Sequence, residues 1–281
     1  MFAEVNKVGG ASLKDIYAMG TLKRHVDFEM KRPTILVVSA FKNVTNILER
    51  LSLFLYVGNI KRAEEEKEKI LKLHFKITYD LFPQGHKVFE KIIDIVKSID
   101  TNKYAKADYN FICGEIMGLG EDLSKMIVAD YLEFKGTKNE LVDSREFIFT
   151  DSLANSELHW NGETKHVIKE FFTRKENPLI IMQGFVGRDI VSGRNSVMKR
   201  EYSDVSAVAV AVALGVPELK FWKKRGVEGN PAQISIGEFK ELEKNKEDLL
   251  AEAALKMIED SKISFSIINF DNIKEKTLVH F

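Results

Sequence analysis

The sequence is poor in the features that mark secreted, metal-binding and membrane proteins. Its one cysteine, Cys113, excludes an intramolecular disulfide and any site that needs several thiolate ligands. No apolar run approaches the roughly 18 residues that suggest a membrane span. The N-terminal residues lack the basic segment and apolar core of a signal peptide. These absences predict a reducing, cytoplasmic setting, in which Cys113 is a small buried apolar side chain.

The chain also has no excess charge of either sign, because 42 Lys and Arg are matched by 42 Asp and Glu. This balance excludes the overall basic character that attracts nucleic acid or a membrane surface, so any anion site must be local. The 281 residues are enough for one or two domains with a large buried core. No low-complexity linker divides them.

Short apolar segments alternate with longer helical ones along the chain. Continuously apolar segments such as 34–40 and 179–182 are typical of strands buried on both faces of a sheet. Further strands are predicted over 5–8, 140–142, 218–222, 263–270 and 277–281. Helices are predicted over 12–30 with Ser12 as N-cap, and over 43–55, 61–73, 86–98, 106–134, 164–173 and 238–259. This alternation predicts an α/β fold with a largely parallel central sheet.

The segment 180–215 carries the most informative pattern. An apolar strand ends at Gly184, and a predicted hairpin with its tip at Ser192–Gly193 follows. Arg200 and Asp204 then lead into a helix of small residues. A helix N-terminus has free N–H donors and the positive end of the helix dipole, so this arrangement suits an anionic ligand.

Polar residues also follow or interrupt other apolar segments. Lys7 precedes a Gly-Gly turn that could admit phosphate oxygens, although such a turn is more often purely structural. Ser39 and Thr45 offer hydroxyl groups to a substrate, and helix capping is the alternative role for Thr45. Glu115 lies in an apolar helical stretch, where its carboxylate needs a cationic partner. That partner is either a substrate ammonium or an arginine of the protein.

Taken in order, the motifs K-x-G-G-x-S, V-V-S-A-x-x-x-V-T-N, G-E, G-F-V-G-R and R-x-x-S-D resemble those of the aspartate kinases, within the amino acid kinase fold. The resemblance covers essentially all 281 residues. It implies an α/β three-layer sandwich with a mostly parallel central sheet. It also implies one domain with a substrate-binding lobe over 1–195 and a nucleotide-binding lobe over 196–281.

The resemblance implies phosphorylation of L-aspartate by Mg-ATP, with Mg²⁺ carried by the nucleotide and no metal site on the protein. It implies a homodimer, or association with another kinase subunit, and neither a nucleic acid nor a membrane as partner. Lys7 and Asp204 are the implied catalytic residues. The implied substrate-binding residues are Ser39, Thr45, Glu115, Phe185, Arg200 and Ser203. The implied nucleotide-binding residues are Gly9, Gly10, Ser12, Trp222, Lys223 and Gly226.

The nucleotide half departs from the family pattern. A family glycine just before the S-D pair is Tyr202 here, and its bulk is expected to hinder close approach of the backbone to phosphate. Lys223 and Lys224 replace a Thr-Asp pair, and a later family lysine becomes Asp248. These changes predict altered, weakened or lost nucleotide binding, unless Lys223, Lys224 and Arg225 contact phosphate in a new way.

Three functions remain open from the sequence. The favoured one is an aspartate kinase-like phosphotransferase with a divergent nucleotide lobe. The second is a catalytically weak or inactive homologue that binds an amino acid or a partner kinase. The third is a kinase of the same fold that acts on another acyl or phosphate group. Because the sequence stops where the family's catalytic domain would stop, no regulatory ACT domain is expected.

Overall fold

The structure is a computed structural model that describes residues 2–244 and 249–281. Its strands are β1 (Glu4–Val8), β2 (Thr34–Val38), β3 (Glu140–Leu141), β4 (Phe149–Thr150), β5 (Leu179–Gln183), β6 (Val186–Asp189), β7 (Asn195–Val197), β8 (Glu218–Lys223), β9 (Gln233–Ser235), β10 (Phe265–Asn269) and β11 (Lys276–His280). Its α-helices are α1 (Ile16–Phe28), α2 (Val44–Tyr56), α3 (Ile60–Leu81), α4 (Val88–Lys97), α5 (Thr101–Tyr104), α6 (Tyr109–Ile116), α7 (Leu119–Phe134), α8 (Gly162–Thr173), α9 (Ser203–Leu214), α10 (Ile236–Lys244) and α11 (Glu252–Ser261).

The central sheet has eight strands among the described residues, in the order β3-β5-β2-β1-β8-β10-β11-β9. All neighbouring strands in it are parallel except β10 and β11, which are antiparallel. Strands β4, β6 and β7 form a separate small sheet, in which β6 and β7 make the predicted hairpin. The predicted α/β fold with a mostly parallel central sheet is confirmed.

Helices cover both faces of the central strands. Every residue of β1, β2 and β5 is buried, and successive side chains of a strand point to opposite faces. Helix α9 packs against β1, β2 and β8, whereas α7 packs against β5, β3 and β2. Cys113 is buried in α6, as predicted. Over the described residues, the helices include none with both the length and the apolar character to cross a membrane.

Three helix predictions need correction. Helix α1 is capped by Asp15, whose side chain accepts the N–H of Ala18 at 2.9 Å, whereas Ser12 lies in a preceding 3-10 turn. The segment predicted as one helix over 106–134 is divided into α6 and α7. Gly118 marks the division, where a Cβ atom would lie 3.0 Å from the Arg145 guanidinium. The helix predicted over 238–259 is interrupted at 249–251, which separates α10 from α11, while Asp248 falls outside the described residues.

The sheet brings four strand ends to one edge. Val8 of β1 pairs in register with Val38 of β2 and with Trp222 of β8, and Val38 pairs with Gln183 of β5. Because all of these strands are parallel, their carboxyl ends lie side by side. Open α/β sheets bind their ligands at such an edge, where the loops that follow adjacent strands diverge.

Candidate active site

A cavity of about 320 Å³ opens at this edge of the sheet. It is lined by the ends of β1, β2 and β8 and by the starts of α2, α7 and α9. The predicted site residues that the structure brings to this cavity are Lys7, Gly9, Gly10, Ser12, Ser39, Thr45, Phe185, Arg200, Ser203, Asp204, Trp222 and Lys223. Two predicted residues, Glu115 and Gly226, do not line it.

An ion-paired trio forms one wall of the cavity. Asp204 lies in the first turn of α9, with its side chain only 3% exposed. Its Oδ1 lies 2.6 Å from the Lys7 Nζ, and its Oδ2 accepts a hydrogen bond from the Lys223 Nζ at 2.8 Å. One carboxylate therefore holds two ammonium groups, one from each of the neighbouring strands β1 and β8.

Charge and burial act on this trio in opposite directions. Burial by itself raises the pKa of the Asp204 carboxyl, but Lys223 and Lys7 outweigh it and hold that pKa below its usual value. Burial lowers the pKa of Lys7, and its pairing with Asp204 offsets only part of this effect. Asp204 is therefore ionised at neutral pH and fixes both lysine side chains at the cavity wall.

A buried acid, Glu121, lies in the first turn of α7 and lines the same cavity. Its Oε1 accepts the backbone N–H of Ala40 at 3.3 Å, and its buried Oε2 has no hydrogen-bond partner among the described residues. Burial raises the pKa of this carboxyl to about 8, only partly countered by the Ala40 N–H. A buried carboxylate without a cation is costly, so the site requires either a proton or a cationic ligand at Glu121.

Glu115, the acid expected to meet the substrate ammonium, lies elsewhere. It is on α6, half-buried, and its Oε2 accepts a hydrogen bond from Asn195 at 3.4 Å. The division between α6 and α7 explains the difference, because only the start of α7 faces the turn after β2. A second Gly-Glu pair at Gly120–Glu121 was present in the sequence and was the signal that could have found Glu121.

Arg200 lines the cavity with its side chain 56% exposed. Its Nη2 donates to the Asn46 Oδ1 at 2.5 Å, and its Nη1 lies 3.3 Å from a carboxylate oxygen of Glu49. Both partners belong to α2, which also supplies Thr45 to the cavity. The guanidinium therefore connects the α9 start to α2 across the cavity mouth and is placed to bind a carboxylate.

Two glycines permit the close backbone approaches that shape the cavity. A Cβ atom on Gly10 would lie 1.8 Å from the carbonyl oxygen of Ala40, and one on Gly184 would lie 2.7 Å from the Cα of Ser203. The turn after β1 can therefore pack against the turn after β2, and the turn after β5 against the start of α9, only with glycine at these positions. For Gly10 this is a structural requirement, independent of any phosphate contact.

Tyr202 does not obstruct the cavity, contrary to the expectation from its bulk. Its hydroxyl lies 3.4 Å from a carboxylate oxygen of Glu157, and the residue is absent from the cavity lining over the described residues. The neighbouring Glu201 is the residue that enters instead. Its backbone has a φ of 69°, a left-handed conformation that favours glycine, and it lines the cavity near Lys7. Sequence reasoning had assigned no role to Glu201.

The remaining nucleotide-side expectations have mixed outcomes. Trp222 borders the cavity, but its indole is buried, donates to the Asn6 Oδ1 at 2.8 Å and stacks on His25. It is therefore a core residue. Gly226 lies against Glu275. Lys224 and residues 249–251 also line the cavity. Of these, only Lys224 was considered as a phosphate contact from the sequence.

Comparison with known proteins shows the family to which the chain belongs. A model of the amino acid kinase family matches residues 4–269. The chain belongs to this family. A curated family relative, the aspartokinase of Chlamydia muridarum, is 26% identical over 297 residues, which cover 98% of this chain and 63% of the relative. Chloroplastic aspartokinase 2 of Arabidopsis thaliana is 26% identical over 233 residues, which cover 78% of this chain and 41% of the relative.

Solved structures agree on the fold. Aspartokinase III of E. coli in complex with lysine and aspartate matches 99% of this chain, with a TM-score of 0.85 and 22% identity. The match covers 64% of that protein, so the chain spans less than two thirds of the length of these relatives. At this level of identity the structural similarity establishes the amino acid kinase fold.

Proposed function

We propose that the chain is an aspartate kinase-like phosphotransferase, which transfers the γ-phosphoryl group of ATP to the side-chain carboxylate of L-aspartate. The observation that carries this proposal is the pair of opposite charge requirements in one cavity. Glu121 requires a cation on one side, and Lys7, Lys223 and Arg200 attract anions on the others. An amino acid that carries an ammonium and two carboxylates, together with a polyphosphate, meets all of these requirements.

The substrate would lie between Glu121 and Arg200. The buried Glu121 carboxylate would receive the α-ammonium in place of a proton, and Arg200 would bind the α-carboxylate as a planar fork. The hydroxyls of Ser39 and Thr45 would orient the remaining polar atoms. The matched aspartokinases, including one solved with aspartate and ADP, support aspartate as the substrate.

The reaction requires positioning more than proton transfer. An oxygen of the side-chain carboxylate attacks the γ-phosphorus, the bond from γ-phosphorus to the β–γ bridging oxygen breaks, and the electron pair leaves with ADP. Because the nucleophile is already ionised, no general base is needed. Lys7 would stabilise negative charge on the transferring group, which is the main protein contribution in phosphoryl transfer.

Mg²⁺ would enter with the nucleotide and neutralise phosphate charge. The described residues contain no cluster of three or more His, Cys, Asp or Glu side chains that could hold a metal ion by themselves. Magnesium bound mainly through substrate phosphates and water is a common arrangement, and it fits this site. In the same scheme, 1–195 would form most of the substrate site and 196–281 most of the nucleotide site, with Arg200 reaching the substrate and Lys7 reaching the transferred phosphoryl group.

A second candidate function is supported by Glu201. A carboxylate beside Lys7 weakens the attraction of the cavity for phosphate, which would suit a homologue that binds an amino acid without transferring a phosphoryl group. The signature of this alternative is aspartate binding with no turnover. It remains second because Lys223 adds a cation to the same region of the cavity.

The decisive experiment is to trap aspartyl phosphate with hydroxylamine after incubation with Mg-ATP and L-aspartate. The wild type is expected to give hydroxamate, and Lys7→Ala is expected to lower the rate by about 100-fold or more, because a preorganised cation is lost. Aspartate binding by Lys7→Ala provides the folding control. Aspartate binding by a wild type that yields no hydroxamate would reject the kinase and favour the amino-acid-binding alternative.

A further inference from the structure

We propose that Lys223 is a second phosphate-binding residue, which contacts the leaving-group side of the polyphosphate and is held in place by Asp204. The proposal deepens the proposed kinase function and takes its orientation from it. It assigns to β8 a cation that the family pattern does not place there, since a Thr-Asp pair usually occupies 223 and 224.

The positions of the two lysines define an order along the cavity. Lys7 is the deeper, with its side chain 7% exposed, and its Nζ lies 3.7 Å from the position of a Cβ atom on Gly9. Lys223 is the outer one, 17% exposed, at the carboxyl end of the adjacent strand. If the terminal phosphate of a polyphosphate contacts Lys7, the next phosphate along the chain would therefore contact Lys223.

The charge count shows that Lys223 is more than a counter-ion. Asp204 is already neutralised by Lys7, so Lys223 leaves the trio with a net positive charge. Other lysines in the neighbourhood have carboxylates of their own. Lys220, also on β8, pairs with Glu4 and Glu218, and the Lys224 Nζ lies 2.7 Å from the Asp271 Oδ2. Glu201 lies near Lys7, but it is exposed, so it offsets this charge only in part, and the trio still attracts an anion to the cavity.

The chemistry of transfer supplies that anion. When the bond from γ-phosphorus to the bridging oxygen breaks, the electron pair moves to ADP and negative charge grows on its β-phosphate. An ammonium held at that point stabilises the transition state more than the ground state, which raises kcat. Asp204 acts as the positioning residue, because it fixes both ammonium groups relative to one another.

The test is the binding of inorganic tripolyphosphate, measured by titration calorimetry without aspartate. Lys223→Met is expected to weaken binding by about 10- to 100-fold, since a charge-assisted contact is lost. Lys91→Met is the matched control. Lys91 also pairs with a buried aspartate, Asp130 at 2.8 Å, but lies on α4 outside the cavity, so its loss should leave tripolyphosphate binding unchanged.

Aspartate binding and thermal unfolding of the same variants separate a ligand contact from a structural role. Lys223→Met should retain aspartate affinity, and Lys223→Arg should recover part of the tripolyphosphate affinity. Should Lys223→Met fail to fold, Lys223→Gln, which keeps a hydrogen-bond donor for Asp204, takes its place. Unchanged tripolyphosphate binding in the folded variant would overturn the proposal, and so would a wild type that does not bind tripolyphosphate.

Turnover distinguishes this inference from the proposed function. With an active wild type, Lys223→Met is expected to lower kcat by about 100-fold with little change in the KM for aspartate. An inactive wild type that still loses tripolyphosphate binding on Lys223→Met would reject the kinase function while it supports the phosphate-binding role. Equal kcat in both proteins would reject the role of Lys223 in an enzyme that works.

Discussion

The two ends of the cavity prepare for charge in different ways. At the end proposed to bind the amino acid, called the amino-acid end below, Glu121 is a buried acid whose Oε2 lacks a partner among the described residues, so burial itself creates the need for a cation. At the end proposed to bind phosphate, called the phosphate end below, Lys7 and Lys223 both contact one carboxylate, so an excess of positive charge attracts an anion. Ligand binding at the first end should therefore depend on whether Glu121 is protonated, whereas binding at the second end should depend on the summed charge of the side chains around it.

The two ends also differ in how closely their residues follow the family pattern. The amino-acid end keeps the residue types expected from the family resemblance once Glu121 replaces Glu115. The end proposed to bind phosphate has Tyr202 in place of a family glycine and Lys223 and Lys224 in place of a Thr-Asp pair, while a later lysine is Asp248. A cavity defined by total charge can tolerate such exchanges, because one cation can replace another from a neighbouring position.

The sharpest test of the amino-acid end is a matched pair of substitutions. Glu121→Gln is expected to weaken aspartate binding by about 30- to 150-fold, because a charge-assisted hydrogen bond is worth about 2–3 kcal/mol. Glu115→Gln should change the affinity by less than about twofold, since that acid only meets Asn195 at the surface of α6. Titration calorimetry with L-aspartate measures both, and the reverse ranking would restore Glu115 as the ammonium partner.

The pH dependence of aspartate binding is the second test of this end. Because the Glu121 pKa is raised to about 8, the free site holds a proton at neutral pH that the substrate ammonium must displace. Aspartate affinity should therefore increase about tenfold per pH unit below that pKa and level off above it. Calorimetry in buffers of different ionisation enthalpy should detect the released proton. A profile that is unchanged in Glu121→Gln would show that another group titrates.

Stability should respond to the same group with the opposite sign. Folding raises the Glu121 pKa from 4.5 to about 8, so the native state binds the extra proton within that window and loses stability as the pH rises through it. Glu121→Gln should remove this slope and raise the melting temperature at neutral pH. Substitution of Glu115, for which no buried charge is involved, is the control.

The smallest expected effects lie at the phosphate end, in the adjacent residues Glu201 and Tyr202. Glu201→Gly should tighten ATP binding by about two- to fivefold, because a carboxylate near Lys7 is lost. It should also stabilise the fold by about 1 kcal/mol, because glycine accepts the positive φ. Tyr202→Gly should leave ATP affinity unchanged, since its side chain points toward Glu157. ATP titrations and thermal unfolding would measure both, and a larger gain from Tyr202→Gly would show that tyrosine bulk limits the nucleotide site.

The sequence was sufficient for the sheet and for most of the cavity. Continuous apolar strands followed by polar turns specify both the parallel sheet and the edge at which the turns converge, so Lys7, Ser39 and Asp204 were found together. The division between α6 and α7 was not predicted, because a glycine within apolar helical periodicity gives no sign of the close tertiary approach between Gly118 and Arg145 at that point. That break decides which of two Gly-Glu pairs faces the cavity.

Side-chain direction was the other feature that the sequence did not determine. The bulk of Tyr202 suggested an obstruction, but whether a side chain enters a cavity depends on the backbone angles of its turn. Here the left-handed residue is Glu201, with a φ of 69°, and Glu201 borders the cavity while the Tyr202 hydroxyl lies beside Glu157. The sequence of this turn does not show which of the two adjacent side chains borders the cavity.

The contacts of Arg200 have a consequence for how a ligand is held. In the free protein this guanidinium is already engaged by Asn46 and Glu49, so its side chain is held against α2 before any ligand binds. A carboxylate that accepts from the remaining guanidinium N–H groups would therefore be joined to α2 through a single side chain.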